Sequence, residues 1–256
     1  MYERVLQPVG VELTGFEAAK LDRDVVPFMR ELLGDYGVVI MPDQTIDDDT
    51  FLAFLRGFGD LAFTAGEKAL AGYPDLNIIS NVGRTSPPKS TFHVDTSYVS
   101  IPPAYTALRA VQIPAEGGET VFTNQYRAFD TLPRRVRTWL AGRTVRHIVT
   151  GLTLDDNEQT EADHPIFRVH PLTGKTALYL STPQRCVSVS GMDQMQSRET
   201  VEMLFKHSTR ADNIYQHTWA QGDLVIWDNG CVMHKADHSA VTGARVMHRG
   251  MVAHYF

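Results

Sequence analysis

The stretch Phe92-His93-Val94-Asp95-Thr96-Ser97-Tyr98 sets an imidazole and a carboxylate two residues apart. In an extended strand, residues i and i+2 point to the same side. His93 and Asp95 on one face would grip one side of a divalent cation, and a third ligand must come from elsewhere. The candidate is His234, far along the chain in Ile226-Trp227-Asp228-Asn229-Gly230-Cys231-Val232-Met233-His234. Two imidazoles and a carboxylate form the facial triad that holds non-haem Fe(II), with positions open for O2 and a cosubstrate. An H-x-D alone is also the sequence of a solvated turn, so its weight depends on the second half of the chain. Cys231, three residues before His234, offers a C-x-x-H zinc corner as a rival, but no second Cys/His pair stands at ligand spacing.

The end of the chain adds charge to this picture. Read as a strand, 245–255 places Arg245, Met247, Arg249 and Met251 on one face and Val246, His248, Val252 and His254 on the other. The two arginines would lie about 13 Å apart along the strand. The interleaved methionines turn their face inward, and buried guanidiniums need anionic partners. No carboxylate in the sequence is an evident partner for them, so bound carboxylates are expected. The alternative is a solvated face with two exposed arginines.

These groups need elements to position them. At 256 residues and 43% hydrophobic content, the chain can form one large core, and no linker or repeat divides it, so one domain over 1–256 is expected. A net charge of −6 argues against nucleic-acid binding. No apolar run approaches a membrane span, and the first residues lack a signal-peptide pattern. Cys186 and Cys231 read as free buried thiols in a reducing cytoplasm. Apolar spacing predicts a helix over 22–36 ended by Gly37, then a buried strand over 38–41. A second helix follows, capped by Thr45, with Asp47, Asp48 and Asp49 in its first turn and Phe51, Leu52, Phe54, Leu55 and Phe58 on its apolar face. Strands are expected at 76–81, 104–113, 119–123, 144–150, 165–170, 176–181, 213–219, 223–228 and 245–255. Further helices are expected after Thr131, burying Val136, Trp139 and Leu140, and at 194–207, burying Val201, Leu204 and Phe205. Many short strands with turn signals describe a barrel or jelly roll with helices outside.

The ordered set of motifs resembles the taurine dioxygenase/TfdA family of Fe(II)/2-oxoglutarate-dependent dioxygenases. The set comprises His93-Val94-Asp95, Gly117-Gly118-Glu119-Thr120, Trp227-Asp228-Asn229 with His234, and Arg245 with Arg249. Arg245 follows His234 by eleven positions, the spacing of that family, and the likeness runs nearly end to end. The resemblance implies a mainly β fold with flanking helices (α+β), a double-stranded β-helix of the cupin-like jelly-roll kind. It implies Fe(II) on His93, Asp95 and His234, and 2-oxoglutarate held by Arg245 with help from the Thr120 hydroxyl. The reaction implied couples decarboxylation of 2-oxoglutarate to succinate and CO2 with O2-dependent hydroxylation, or a related C–H oxidation, of a small molecule. Asp95 favours this over halogenation, because related halogenases lack the carboxylate.

Arg249 matches the position that faces the acidic group of taurine, so a small substrate carrying an anion is expected. Asn81, Phe92, Tyr98 and Lys89 are the further candidate substrate contacts, with Phe63 and Phe122 nearby in sequence. A sulfonate-binding histidine is missing from 61–66, and Lys89 stands where taurine enzymes have Asn, so taurine itself is not expected. The remaining histidines read as surface or structural. No nucleic-acid or membrane partner is expected, and self-association is left open. Two rival readings use the same residues: a non-catalytic 2-oxoglutarate or metal sensor on this barrel, and a zinc hydrolase with this triad.

Overall fold

The computed structural model describes residues 1–83 and 90–256. Two β-sheets share an apolar interior. The larger contains, as hydrogen-bonded neighbours, Tyr2–Val5, Val11–Thr14, Val38–Met41, Leu224–Asp228, Tyr105–Gln112, Val246–Val252, Tyr73–Ser80 and Ala69–Leu70. Leu61–Ala62 also pairs with Val246–Val252. The smaller sheet is Ile214–His217, Thr120–Asn124 and Val232–Ala236. Late strands lie between early ones: Leu224–Asp228 separates Val38–Met41 from Tyr105–Gln112. The result is a jelly roll, mainly β with flanking helices.

Period two explains why the central strands are apolar throughout. In Val38–Met41, Val38 and Ile40 join the inter-sheet cluster with Phe122, Trp227 and Met247. Val39 and Met41 face the other way, into a cluster with the helices. The same split divides Val225 and Trp227 from Leu224 and Ile226. The outer face is covered by helices Val25–Tyr36 and Asp48–Phe58, the latter burying Phe51, Leu52, Phe54, Leu55 and Phe58 as expected. Gly250 makes the close approach possible, since a Cβ there would lie 2.2 Å from Leu55 Cδ1.

Several sequence expectations change. Asp47, not Thr45, caps the second helix: its extended backbone lets the carboxylate accept from Thr50 N at 2.8 Å. Trp139 is 49% exposed, because the helix Arg134–Leu140 has only two turns and buries Leu140 alone. Elements not anticipated include helix Gln125–Asp130 and strands Tyr2–Val5, Val11–Thr14, Leu61–Ala62, Ala69–Leu70, Glu161–Pro165, Cys186–Val189 and Val232–Ala236. The last carries His234, and Asn229-Gly230-Cys231 is the turn that moves the chain from the larger sheet to the smaller. Together with helix Gln194–Ser208, the strands Thr144–Ile148 and Cys186–Val189 help enclose a second apolar cluster behind the smaller sheet. Among the described residues no helix is long and apolar enough to cross a membrane.

Candidate metal and cosubstrate site

His93 and His234 meet through the backbone. His93 N donates to His234 O at 2.9 Å, and His234 N donates to His93 O at 3.0 Å. Directly opposed residues of an antiparallel pair point the same way, which puts the two imidazole centroids 4.4 Å apart. The H-x-D segment is therefore not a strand, contrary to the period-two expectation. It is a single bridge at His93 followed by a turn, with Thr96 at φ 47, and that turn returns Asp95 toward the histidines. Asp95 Oδ1 lies 3.5 Å from His93 Nε2 and Oδ2 lies 3.7 Å from His234 Nε2. The three donors gather within 4.8 Å of one another.

The donor set suits a divalent cation. Thr91 O accepts from His93 Nδ1 at 2.9 Å, which fixes the proton on Nδ1 and leaves the Nε2 lone pair free. Burial pushes the His234 imidazole down to about 3, with His93, Arg249 and Arg185 acting in the same sense, so the ring is neutral. Burial opposes ionisation of Asp95, but the imidazoles of His234 and His93 and the Arg249 guanidinium outweigh it and hold the carboxyl well below its usual range. Thr106 Oγ1 donates to Asp95 Oδ2 at 2.8 Å and accepts from Asn229 Nδ2 at 2.9 Å. This chain orients the carboxylate from a strand of the larger sheet, through Thr106, and from the turn that leaves that sheet, through Asn229. The sequence reading quotes Asn229 in its motif set without giving it a role, and it misses Thr106. A signal for Thr106 existed: it shares a face with Leu108 and Ala110, a hydroxyl among interior side chains.

Beside the triad lies a cavity of about 150 Å3 bounded by His93, His234, Trp227, Thr120, Arg245 and Arg249. Arg245 is fully buried. Its Nε donates to Gly118 O at 2.7 Å and its Nη2 to Thr120 Oγ1 at 3.3 Å, while Nη1 has no acceptor among the described residues. Burial lowers its pKa to about 10, with Glu119 acting the other way, so it stays cationic at neutral pH. Thr120 Oγ1 accepts a second bond from Trp219 Nε1 at 3.0 Å. Both its lone pairs are used, and its own proton remains to donate. An orphaned buried cation and an unspent hydroxyl beside a metal-binding triad fit the distal carboxylate of 2-oxoglutarate. Gly118 is required here: it sits at φ +80, and a Cβ would meet Arg245 Cδ at 2.9 Å.

Arg249 behaves differently. No carboxylate stands out in the sequence as its partner, yet Glu67 forms an ion pair with Nη2, Asn77 Oδ1 accepts from Nη2 at 3.1 Å, and Asp95 lies 3.7 Å from Nη1. Glu67 comes from the segment before Lys68, whose Gly66 packs against Thr153 O. Nothing in the local sequence marks it as a partner 182 residues away.

The other expected contacts scatter. Asn81 is a brace, since its Oδ1 accepts from Arg245 N at 2.8 Å and its Nδ2 donates to Gly243 O at 2.9 Å. It holds the entry to the last strand rather than facing a ligand. Phe92 packs in the cluster behind the smaller sheet, with Lys235 over its ring. Tyr98 is buried, its hydroxyl has no hydrogen-bond partner among the described residues, and the Arg185 guanidinium lies 5.8 Å from its ring. Lys89 lies outside the described residues. His147, His164, His170 and His217 are buried and hydrogen-bonded or ion-paired, in line with structural roles.

Comparison with known proteins agrees with this geometry. Residues 3–251 match the family model described as taurine catabolism dioxygenase TauD, TfdA family. The chain is 27% identical over 248 residues to the alpha-ketoglutarate-dependent 2,4-dichlorophenoxyacetate dioxygenase of Cupriavidus pinatubonensis, covering 86% of each chain. It is 25% identical over 271 residues to the (S)-phenoxypropionate/alpha-ketoglutarate-dioxygenase of Delftia acidovorans, covering 96% of this chain and 92% of that one. The crystal structure of a taurine dioxygenase from Burkholderia xenovorans superposes with a TM-score of 0.86 at 29% identity, over 98% of this chain and 90% of that one. With the triad, the buried arginine and the jelly roll already in place, the chain belongs to the TauD/TfdA family of dioxygenases, which use Fe(II), 2-oxoglutarate and O2.

Proposed function

We propose that His93, Asp95 and His234 bind Fe(II), that Arg245 and Thr120 bind the distal carboxylate of 2-oxoglutarate, and that the enzyme hydroxylates a small organic acid. The observation that carries this reading is the meeting, in one cavity, of a three-donor metal cluster with a fully buried arginine that lacks an anion. Fe(II) and 2-oxoglutarate, when bound, supply the O2-dependent oxidising chemistry and release succinate and CO2. The protein supplies placement. The bridge between His93 and His234 sets two ligands, and Thr106 and Asn229 aim the third. Gly118 and Thr120 hold Arg245 so that its free Nη1 meets the cosubstrate. Burial around Trp227 and Leu108 keeps water from these groups and strengthens each charge contact. The acidic substrate is supported by the relatives, whose names specify dichlorophenoxyacetate and phenoxypropionate. Two free buried thiols accord with a reducing cytoplasm.

Anaerobic titration of the protein with Fe(II) and 2-oxoglutarate tests this. A visible charge-transfer band is expected in the wild type, and His93→Ala, Asp95→Ala and His234→Ala should each lose it together with nearly all O2-dependent succinate release. A folded single variant with full band and turnover would remove the triad assignment. Succinate release without O2 would remove the oxidative one.

A further inference from the structure

His93 lines two cavities. The second holds about 400 Å3 and is lined by Thr91, Thr150, Gly151, Thr182, Gln184 and Arg185 as well as His93. We infer that this cavity takes the primary substrate and that Arg185 binds its acidic group, a carboxylate or a sulfate.

The inference rests on the Fe(II)/2-oxoglutarate reading above and changes which cation reads the substrate. Two buried arginines, Arg245 and Arg249, and the half-buried Arg185 surround the triad, and their partners differ. Arg245 keeps one orphaned nitrogen in the smaller cavity, where the cosubstrate fits. Arg249 is neutralised by Glu67 and shared with Asn77 and Asp95. Arg185 has no ion-paired carboxylate among the described residues, and only the charge of Asp95 acts on it from a distance. Its Nη1 donates to Val94 O at 2.9 Å, its Nε is buried without an acceptor, and it forms no ion pair among the described residues. A guanidinium drawn out of water without a counter-anion is costly, and an anion entering the cavity relieves that cost.

The surroundings agree in size and chemistry. A volume of about 400 Å3 falls in the range of roughly 300–1,000 Å3 that small-molecule pockets occupy. The Thr91 and Thr150 hydroxyls and the Gln184 amide, whose Oε1 accepts from Thr182 Oγ1, offer further donors to an anion. The Tyr98 ring lies 5.8 Å from the guanidinium and flanks it from the ligand turn. The bond to Val94 O ties Arg185 to the backbone between His93 and Asp95. A substrate anchored at Arg185 is thereby held in register with the metal ligands.

The test uses the anaerobic Fe(II)–2-oxoglutarate enzyme and three probes: phenoxyacetate, hexyl sulfate and neutral phenoxyacetamide. The readouts are the perturbation of the visible charge-transfer band and, separately, the melting temperature of the metal-free protein. One or both acids should perturb the wild-type band and raise the metal-free melting temperature, and the amide should do neither. The carboxylate and sulfate arms show which acid the cavity prefers. Arg185→Gln keeps a donor for Val94 O and removes only the charge. It should raise the acid midpoint by roughly 10- to 1,000-fold while leaving the 2-oxoglutarate titration in place. Arg185→Lys should recover part of the affinity, since it restores charge without the planar fork.

The proposal falls if Arg185→Gln binds the acids like the wild type. It falls equally if acids and amide weaken together, which would make Arg185 a brace for Val94, or if no acid perturbs the wild-type band. A wild type that forms no band at all rejects the underlying Fe(II)/2-oxoglutarate reading instead, and the inference with it.

Discussion

Arg245, just before the strand Val246–Val252, and Arg249, within it, line one cavity, yet the fold gives them different tasks. Among the described residues Arg245 meets only neutral acceptors, Gly118 O and Thr120 Oγ1, and keeps its charge for a ligand. Arg249 spends its charge on Glu67 and Asp95. Losing one side of a buried charge pair costs about 2–5 kcal/mol, so Arg245→Ala should raise the 2-oxoglutarate requirement by tens to thousands-fold. Arg245→Lys should rescue it only in part, because an ammonium cannot donate two parallel bonds. Cosubstrate titrations check both, and an unchanged affinity in Arg245→Ala would move the role elsewhere. Thr106 gives a second prediction. Thr106→Val keeps the side-chain shape and removes the hydroxyl that aims Asp95 Oδ2. Metal affinity should fall about 10- to 100-fold, the usual effect of removing a bond to a ligand. Competition with a metallochromic chelator measures it, and an unaltered affinity would show that Asp95 needs no such support.

At the scale of elements, the seating of helix Asp48–Phe58 on strand Val246–Val252 depends on one missing side chain. Leu55 Cδ1 occupies the space where a Gly250 Cβ would stand, and Leu76 Cδ2 lies 3.0 Å from the same point. Gly250→Ala should therefore lift the helix and strain the strand that carries Arg249 and begins just after Arg245. Overpacking of this kind costs about 1–3 kcal/mol. Leu55→Ala in the Gly250→Ala background removes the colliding group, so the pair should lose less stability than the two single losses added together. Chemical denaturation of the four proteins reads this coupling. Strict additivity would mean that the helix and strand are not in contact through these two residues.

At the scale of the molecule, acid stability should report the buried histidines. His147 is fully buried, hydrogen-bonded to Ser97 Oγ at 3.0 Å and stacked on Tyr179. Burial pushes its pKa down to about 3 from 6.5, with His164, Arg185 and Arg168 in the same direction and Asp163 opposed. Above pH 6.5 the ring is neutral in both folded and unfolded chains, and its contribution is complete. As pH falls from 6.5 toward 3, the unfolded chain takes up a proton that the folded chain refuses, and stability is lost. At pH 5 the loss is about 2 kcal/mol. The wild type should therefore lose about that much more than His147→Gln between pH 7 and pH 5, measured by urea unfolding. Equal losses would mean that His147 is protonated in the folded protein.

The sequence alone determined the parts that rest on local periodicity and on ordered motifs. Fully apolar runs such as Val38–Met41 mark strands covered on both faces, and the buried stripe Phe51 to Phe58 marks a helix. Both follow from backbone repeat and hydrophobic burial, which act over a few residues. The ordered residues His93, Asp95, His234 and Arg245 indicated the chemistry before any contact was known. Tertiary structure alone decided everything that depends on residues distant in the chain. The opposition of His93 and His234 comes from a single backbone bridge, not from the i, i+2 rule. The pairing of Arg249 with Glu67 comes from a segment docked 182 residues upstream. The support of Asp95 by Thr106 and Asn229, and the isolation of Arg185 beside the second cavity, arise where different strands and turns meet. Charge partners are chosen by distance in space and by the loss of water around them, and a sequence records neither.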